Sequence, residues 1–282
     1  MLSPFRAQEL KPVLEQLLAG CDFAQRRLQD PVEFCWNYHA RCDREIVALL
    51  SSCLAYGRVE LLKAAVKGVL EVLGSSPAGA VYELGPSQLA GELDSFVYRM
   101  SRGADVVDLL VAAASVQREF GSLEALYASA PADDHLERAS FFVRQLRRRR
   151  VREEFTRGFR YLLPDPADGS ACKRLHLFFR WMGRGPDGVD LGTWGSLEAS
   201  ELIMPLDTHT ARLCRYLGLS ERKSTDMKTA IEVTESLALM DPDDPLKYDF
   251  ALCHLGISGS CIHRRSDEHC PSCPIETMCT LE

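Results

Sequence analysis

Several things are missing from this 282-residue chain, and each absence narrows what it can be. No uninterrupted apolar stretch is long enough to cross a bilayer, which argues against a helical membrane protein. There is no basic excess: 33 lysines and arginines face 40 aspartates and glutamates, for a net charge of −7. A nucleic-acid surface, if there is one, must therefore be local. No segment alternates polar and apolar residues over strand length, and neither internal repeats nor low-complexity tracts occur. The N-terminus, MLSPFRAQELKPVLEQLL, has no cleavage-type apolar core and reads as an amphipathic helix, not a signal peptide. Apolar residues at 46% and charged residues at 26% are ordinary for a globular protein with a real core.

Cysteine is not scarce. Seven of the eleven cysteines are scattered at 21, 35, 42, 53, 172, 214 and 253, several inside apolar helical patterns, as buried reduced thiols would be. The other four, Cys261, Cys270, Cys273 and Cys279, fall within nineteen residues as C-x8-C-x2-C-x5-C. Pro271, Ser272 and Pro274 keep that stretch out of a regular helix, so the sulfurs can converge. Four thiols in one loop suit an iron–sulfur cluster or zinc. Zinc is favoured by His254, His263 and His269 nearby and disfavoured by the presence of only one CxxC pair. Free thiols with a metal loop imply a reducing compartment, so the cytoplasm is expected.

The apolar period is helical throughout. Leu10, Val13, Leu14, Leu17 and Leu18 form a stripe ended by Gly20; Ile46, Leu49, Leu50, Cys53 and Leu54 form a second. Leu62, Val66, Val69 and Leu73 form a third, stopped by Gly74 and Pro77. Further helices are predicted over about 86–100, 104–119, 134–150, 171–182, 208–217, 226–239 and 245–256, with Asp244-Pro245 as N-cap and first residue of the last. The fold class is therefore all-α. Two irregular stretches interrupt it: Leu163–Ser170, and Gly183–Gly195 with five glycines in thirteen residues. An arginine run, Arg144 to Arg152, carries six arginines and no acid; it is either a solvated helix face or a phosphate-contacting patch.

The segment Met204-Pro205-Leu206-Asp207-Thr208-His209 opens a helix at Asp207. Two readings are open for that aspartate: a plain N-cap, or a catalytic carboxylate. This helix start, followed by a four-cysteine loop ending in C-x2-C-x5-C, resembles the helix-hairpin-helix base-excision DNA glycosylases, endonuclease III above all. The helix within Arg44–Gly57 resembles their early helix that runs toward the lesion pocket. Phrases from LAYGR (54–58) through FVYRM (96–100), KRLHLFFRWMGR (173–184), VDLGTW (189–194) and MPLDTHTARL (204–213) to DPDDPLKYDFALCHLGI (241–257) resemble an uncharacterised bacterial family affiliated with that superfamily.

The resemblance implies a two-lobed helical fold. Residues 43–194 would be a helical barrel-like domain, and 1–42 with 195–282 a helical domain carrying the cysteine loop. It makes Asp207 the catalytic carboxylate and Cys261, Cys270, Cys273 and Cys279 the ligands of a structural [4Fe–4S] cluster. The partner would be double-stranded DNA, met by a monomer with no membrane contact. Nucleic-acid-contacting candidates are Arg58, Lys173, Arg174, Arg184, His209, Arg264 and Arg265. Pocket candidates are Tyr56, Arg99 and Trp194, with a core role the alternative for Trp194 and Tyr98. Lys173, Arg174, Arg180 and Arg184 are equally readable as snorkelling surface residues.

Departures from the pattern matter as well. The first cysteine gap is x8 where endonuclease III has x6. The hairpin LPGVGxKTA is missing in that form, and Gly183–Gly195 is taken to hold its place. With no lysine between Lys173 and Lys223, Schiff-base chemistry from that hairpin is excluded, and a monofunctional, water-using reaction is expected. Two other functions stand beside it: a non-catalytic nucleic-acid-binding module, and an enzyme acting on a nucleoside or RNA.

Overall fold

A computed structural model describes residues 2–257 and 261–281. Residues 1, 258–260 and 282, which fall inside the second domain range expected from the sequence, lie outside the described residues. Among the described residues, no helix is long and apolar enough to cross a membrane.

Local signals explain most of the helices. In α1 (Pro4–Ala19), Ser3 caps the amide of Arg6 at 3.2 Å, Pro4 stands at the first turn, and Gly20 ends the helix. α2 (Phe23–Arg27) and a 3-10 segment (Pro31–Asn37) lead into α3 (Arg41–Cys53), which is buried on nearly every face. α4 (Val59–Leu73) ends at Gly74, whose φ of 65° suits glycine. α5 (Pro77–Glu92) is broken at Gly85, and Asp43 of α3 accepts the Ala78 amide at its start (2.8 Å). Next come α6 (Gly103–Phe120), α7 (Leu123–Ala128), α8 (His135–Arg148), α9 (Arg157–Leu162) and α10 (Lys173–Gly183). Last are α11 (Thr208–Tyr216), α12 (Met227–Ala238) and α13 (Asp249–Ile257). The class is all-α.

Two local expectations fail. Residues 86–100 are not one helix: α5 ends at Glu92, and Val97–Tyr98 (β1) pairs antiparallel with Ser101–Arg102 (β2). The turn between them needs a left-handed residue, and Arg99 supplies it with φ of 52°. Nor does Asp244-Pro245 start the last helix. The chain turns over 245–248, α13 begins at Asp249, and Asp244 instead accepts from Arg184 (2.8 Å).

Buried side chains separate into two apolar clusters. One gathers residues from Val32 to Leu202 together with Met227, Leu246 and Phe250, with α3 through its middle and α10 packed on it. The other joins α1 to Met204, α11, α12, α13 and Ile275 and Met278 of the cysteine loop. Arg180, 2% exposed, links the two groups: Nε donates to Asp190 (3.0 Å) and Nη1 to Asp249 of α13 (2.5 Å). Removing one partner of a buried ion network strands the others. Arg180→Met is expected to cost about 3–5 kcal/mol of unfolding free energy in a denaturant titration; a loss below about 1 kcal/mol would show the network to be dispensable.

His135 and His176 are buried side by side, ring centroids 5.8 Å apart, both pushed down to about 3 by desolvation. His135 Nδ1 meets the Tyr127 hydroxyl at 2.8 Å. The unfolded chain binds protons below about pH 6.5 that the folded chain refuses, so their contribution to stability falls with falling pH. Each should cost about 1.4 kcal/mol per pH unit between pH 6.5 and 5. Urea midpoints across that interval, with and without His176→Phe, check the slope.

Candidate functional site

A cleft of about 450 Å³ opens beside α9 and α10. One wall is α9 and the start of α10, contributing Arg157, Arg160, Tyr161, Lys173 and Arg174; across it lie Leu206 and Thr225 from beside the second apolar cluster. Between α9 and α10 the chain makes a tight connection. Gly169 turns at φ 79°, Cys172 takes φ 43°, unusual for a residue with a side chain, and the Gly169 carbonyl accepts from Met227 at 3.0 Å. Such backbone strain, about 1–3 kcal/mol, gathers at functional sites.

Asp207 is not part of the lining itself, but it directly follows the lining residue Leu206 and is bonded to the lining residue Lys173. Its Oδ1 accepts from the amides of His209 and Thr210, both at 2.9 Å, so it is the N-cap that the sequence suggests. Its Oδ2 is free of that task and accepts from Lys173 Nζ at 2.6 Å. Burial would raise the carboxyl, but the Lys173 ammonium and the Thr210 backbone and side-chain hydrogen bonds outweigh it and hold the group below the usual carboxylate range. Lys173 is correspondingly held as a cation: burial opposes its charge, while Cys253, Asp207 and Asp249 together raise it. With about a quarter to a third of each side chain exposed, this pair governs charge state more than stability.

The sequence candidates scatter around this centre. Lys173 lies in the cleft, yet it bonds Asp207 instead of standing free for phosphate. Arg174 is 8% exposed; it donates to the carbonyls of Cys53 (2.7 Å) and Tyr161, and it stacks over the rings of Tyr161 (4.2 Å) and Tyr56 (5.0 Å). Tyr56 is thus one layer behind the wall, its hydroxyl held by Ser101 at 2.9 Å. Arg184 is away from the cleft and buried, its guanidinium held by Asp187, Asp190 and Asp244, an arrangement with no place for phosphate. Trp194 is a core residue at 3% exposure, donating to Glu45 (3.1 Å) amid Phe178, Phe179 and Tyr127. Arg58 and Arg99 are exposed, Arg58 within 3.9 Å of Glu60.

Gly183–Gly195 is not an open phosphate-binding loop. It folds back on α10: the Leu191 and Trp194 amides donate to Trp181 and Met182 carbonyls, and those of Val189 and Asp190 donate to Asp187. Gly192 lies so close to Gly185 and Pro186 that any Cβ would collide. Three of the six arginines in the run are likewise neutralised. Arg144 pairs with Asp165, Arg149 with Glu119, and Arg152 with Asp105 and Asp108. Arg147 donates to the Leu163 carbonyl.

Cys261, Cys270, Cys273 and Cys279 line one small recess, together with Arg264, Arg265 and His269. Burial raises the Cys273 thiol, and the other three thiols add to that. Among the described residues, no three His, Cys, Asp or Glu side chains are set as the ligands of a metal ion. The loop is tied to α11: Thr280 donates its amide to the Tyr216 carbonyl (2.8 Å), and the His263 ring lies 5.7 Å from that of His209. Arg265 pairs with Glu276, and Arg264 is exposed.

Residues 30–258 match the model of a family described as "Protein of unknown function (DUF2400)", and the chain belongs to that family. Neither a curated protein nor a solved structure matches it.

Sequence reasoning passed over Arg157, Arg160 and Tyr161. The signal available was GFRYLLP, a short amphipathic turn directly before the Pro/Asp/Gly loop.

Proposed function

We propose that this protein is a DNA-binding, base-excising N-glycosylase whose carboxylate is Asp207. The observation that carries the reading is the Lys173–Asp207 pair at the rim of a cationic cleft. Breaking an N-glycosidic bond develops positive charge on the sugar, and an ionised carboxylate beside it stabilises that charge and orients water. Asp207 has the required state: it stays ionised at a helix N-terminus, and Oδ2 faces away from the cap. A base turned out of the duplex needs a recess, and the cleft is of ligand-binding size. In this reading the two apolar clusters are the two lobes of a glycosylase-like clamp closed by the Arg180 network, and the protein acts on duplex DNA as a monomer.

The resemblance places the hairpin at Gly183–Gly195; the geometry favours α9, its connection and α10 instead. That stretch reads Leu163-Pro164, then Gly169, then Lys173, the order of leucine-proline, glycine and lysine in the resembled hairpin.

The four cysteines fit a [4Fe–4S] cluster by donor type: half-buried thiols around one recess, with Cys261 and Cys273 packed on the second apolar cluster. Bound there, the cluster would fix the shape of a loop with little apolar content. Zinc is the rival occupant, with His263 or His269 as a substitute ligand. The chain's own residues do the rest, with Thr280 and His263 bracing α11.

The test is a panel of duplexes, each bearing one damaged base, incubated with protein and heated in alkali. Alkali-labile breaks at one or more lesions support the reading; intact strands throughout reject it. A second reading is favoured by one distance. Lys173 Nζ, 2.6 Å from Asp207, is the amine that a lysine-dependent lyase would use, although here it is held protonated and non-nucleophilic. Borohydride trapping separates the two: no covalent DNA adduct is expected for the water-using enzyme, and a Lys173-dependent adduct would assign the lyase.

A further inference from the structure

Resting on the cleft being the catalytic one, we propose that Arg157 and Arg160 form a phosphate-binding site for the DNA strand that enters it. They are three apart on α9, so they share one helical face, and both line the cleft and are exposed. The opposite face is fixed: Phe159 and Leu162 are buried, and Gly158 is pressed so tightly on Asp105 and the Met100 carbonyl that a Cβ there would collide. The two guanidiniums therefore project from a rigid support.

Their charge is available. Neither has a carboxylate partner among the described residues, in contrast to Arg144, Arg149, Arg152, Arg180 and Arg184. Among the described residues the lining of the cleft holds no acidic side chain, and Asp207 meets it only through Lys173. Asp105, buried against Gly158, is bound to Arg152 and the Thr156 hydroxyl; Glu153, Glu154 and Asp168 are exposed on the flanking segments. Arg160 is held over the Phe155 ring at 5.0 Å, which orients it at little cost in entropy. Of the other two cations in the lining, Lys173 is neutralised by Asp207 and Arg174 is buried with its guanidinium bonded to the Cys53 and Tyr161 carbonyls, so Arg157 and Arg160 are the exposed charges of the cleft. On a chain of net charge −7 their local field is what an anionic strand would meet.

The experiment measures duplex affinity by fluorescence anisotropy over a range of salt concentrations. It compares wild type, Arg157→Ala/Arg160→Ala, Arg157→Lys/Arg160→Lys, and Lys67→Ala on the outer face of α4 as control. Both arginines are exposed, and melting curves check that the variants fold. Losing two phosphate contacts should flatten the plot of log affinity against log salt by about 2 and weaken binding about thirtyfold at physiological salt. The lysine pair should keep the slope, and Lys67→Ala should match wild type. A wild type that binds DNA with the alanine pair equal to it in slope and affinity overturns this site and leaves the glycosylase reading standing. A wild type that binds no duplex removes both. Orthophosphate and a nucleoside monophosphate are run as separate ligands. Arginine-dependent binding of the monophosphate without strand binding would overturn the strand assignment in favour of a free nucleotide.

Discussion

An Asp207→Asn protein is expected to fold, bind duplex DNA and release base about 10²–10³-fold more slowly than wild type. The fold survives because asparagine caps a helix as well as aspartate does, so the bonds from His209 and Thr210 to Oδ1 persist. What goes is the negative charge on Oδ2. The Lys173 ammonium loses its partner, at a cost of about 1 kcal/mol for a pair this exposed. The sugar cation loses its counter-charge, which is the larger effect. Because the folded carboxyl is held below its ordinary value, Asp207 stays ionised through the neutral and mildly acid range. Its stability contribution is complete above the unfolded value near 3.8 and fades only as pH falls below it. Wild-type rates should therefore show no acid limb from Asp207 until well below pH 5. Single-turnover rates of the two proteins decide the matter. Equal rates would mean that Asp207 only caps α11.

The second large effect concerns the cysteine loop. Cys273→Ser is expected to bring bound iron and sulfide to background, expose residues 261–281 to protease, and cost several kcal/mol of stability, since metal binding to such a loop is folding free energy. The loss should spread. Ile275 and Met278 leave the second apolar cluster, Arg6 loses the Met278 carbonyl (3.0 Å), and α11 loses the Thr280 contact to Tyr216. Base release should fall with it, because α11 carries Asp207. Cys42→Ser, at an exposed thiol outside the recess, should change none of these. Iron and sulfide analysis with limited proteolysis reads the outcome. A Cys273→Ser protein that keeps wild-type protease resistance and activity would contradict the bracing role.

How far the sequence could be read follows from what each signal encodes. Stripes such as Leu10, Leu14 and Leu17 report one helix face against a core, and those helices are where the spacing puts them. The N-cap at Asp207 is equally local and legible. Pairings across the chain are not. Arg184 looks like a surface cation until Asp187, Asp190 and Asp244 are seen around it. The same contact explains the misplaced start of α13, because Asp244 serves Arg184 instead of a helix. The Gly183–Gly195 stretch has the composition of an open loop, yet its amides are used within the fold. The Lys173–Asp207 bond spans thirty-four residues and two helices, and no local pattern announces it. Arg157 and Arg160 escaped notice for the opposite reason: their meaning lies in having no carboxylate partner among the described residues, which only packing reveals.

The most direct measurement is mass spectrometry of the small molecules released from a lesion-bearing duplex by the purified protein. The account predicts one free base per alkali-labile site for wild type and none above background for Asp207→Asn. No free base from any lesion, or equal release by both proteins, would contradict it.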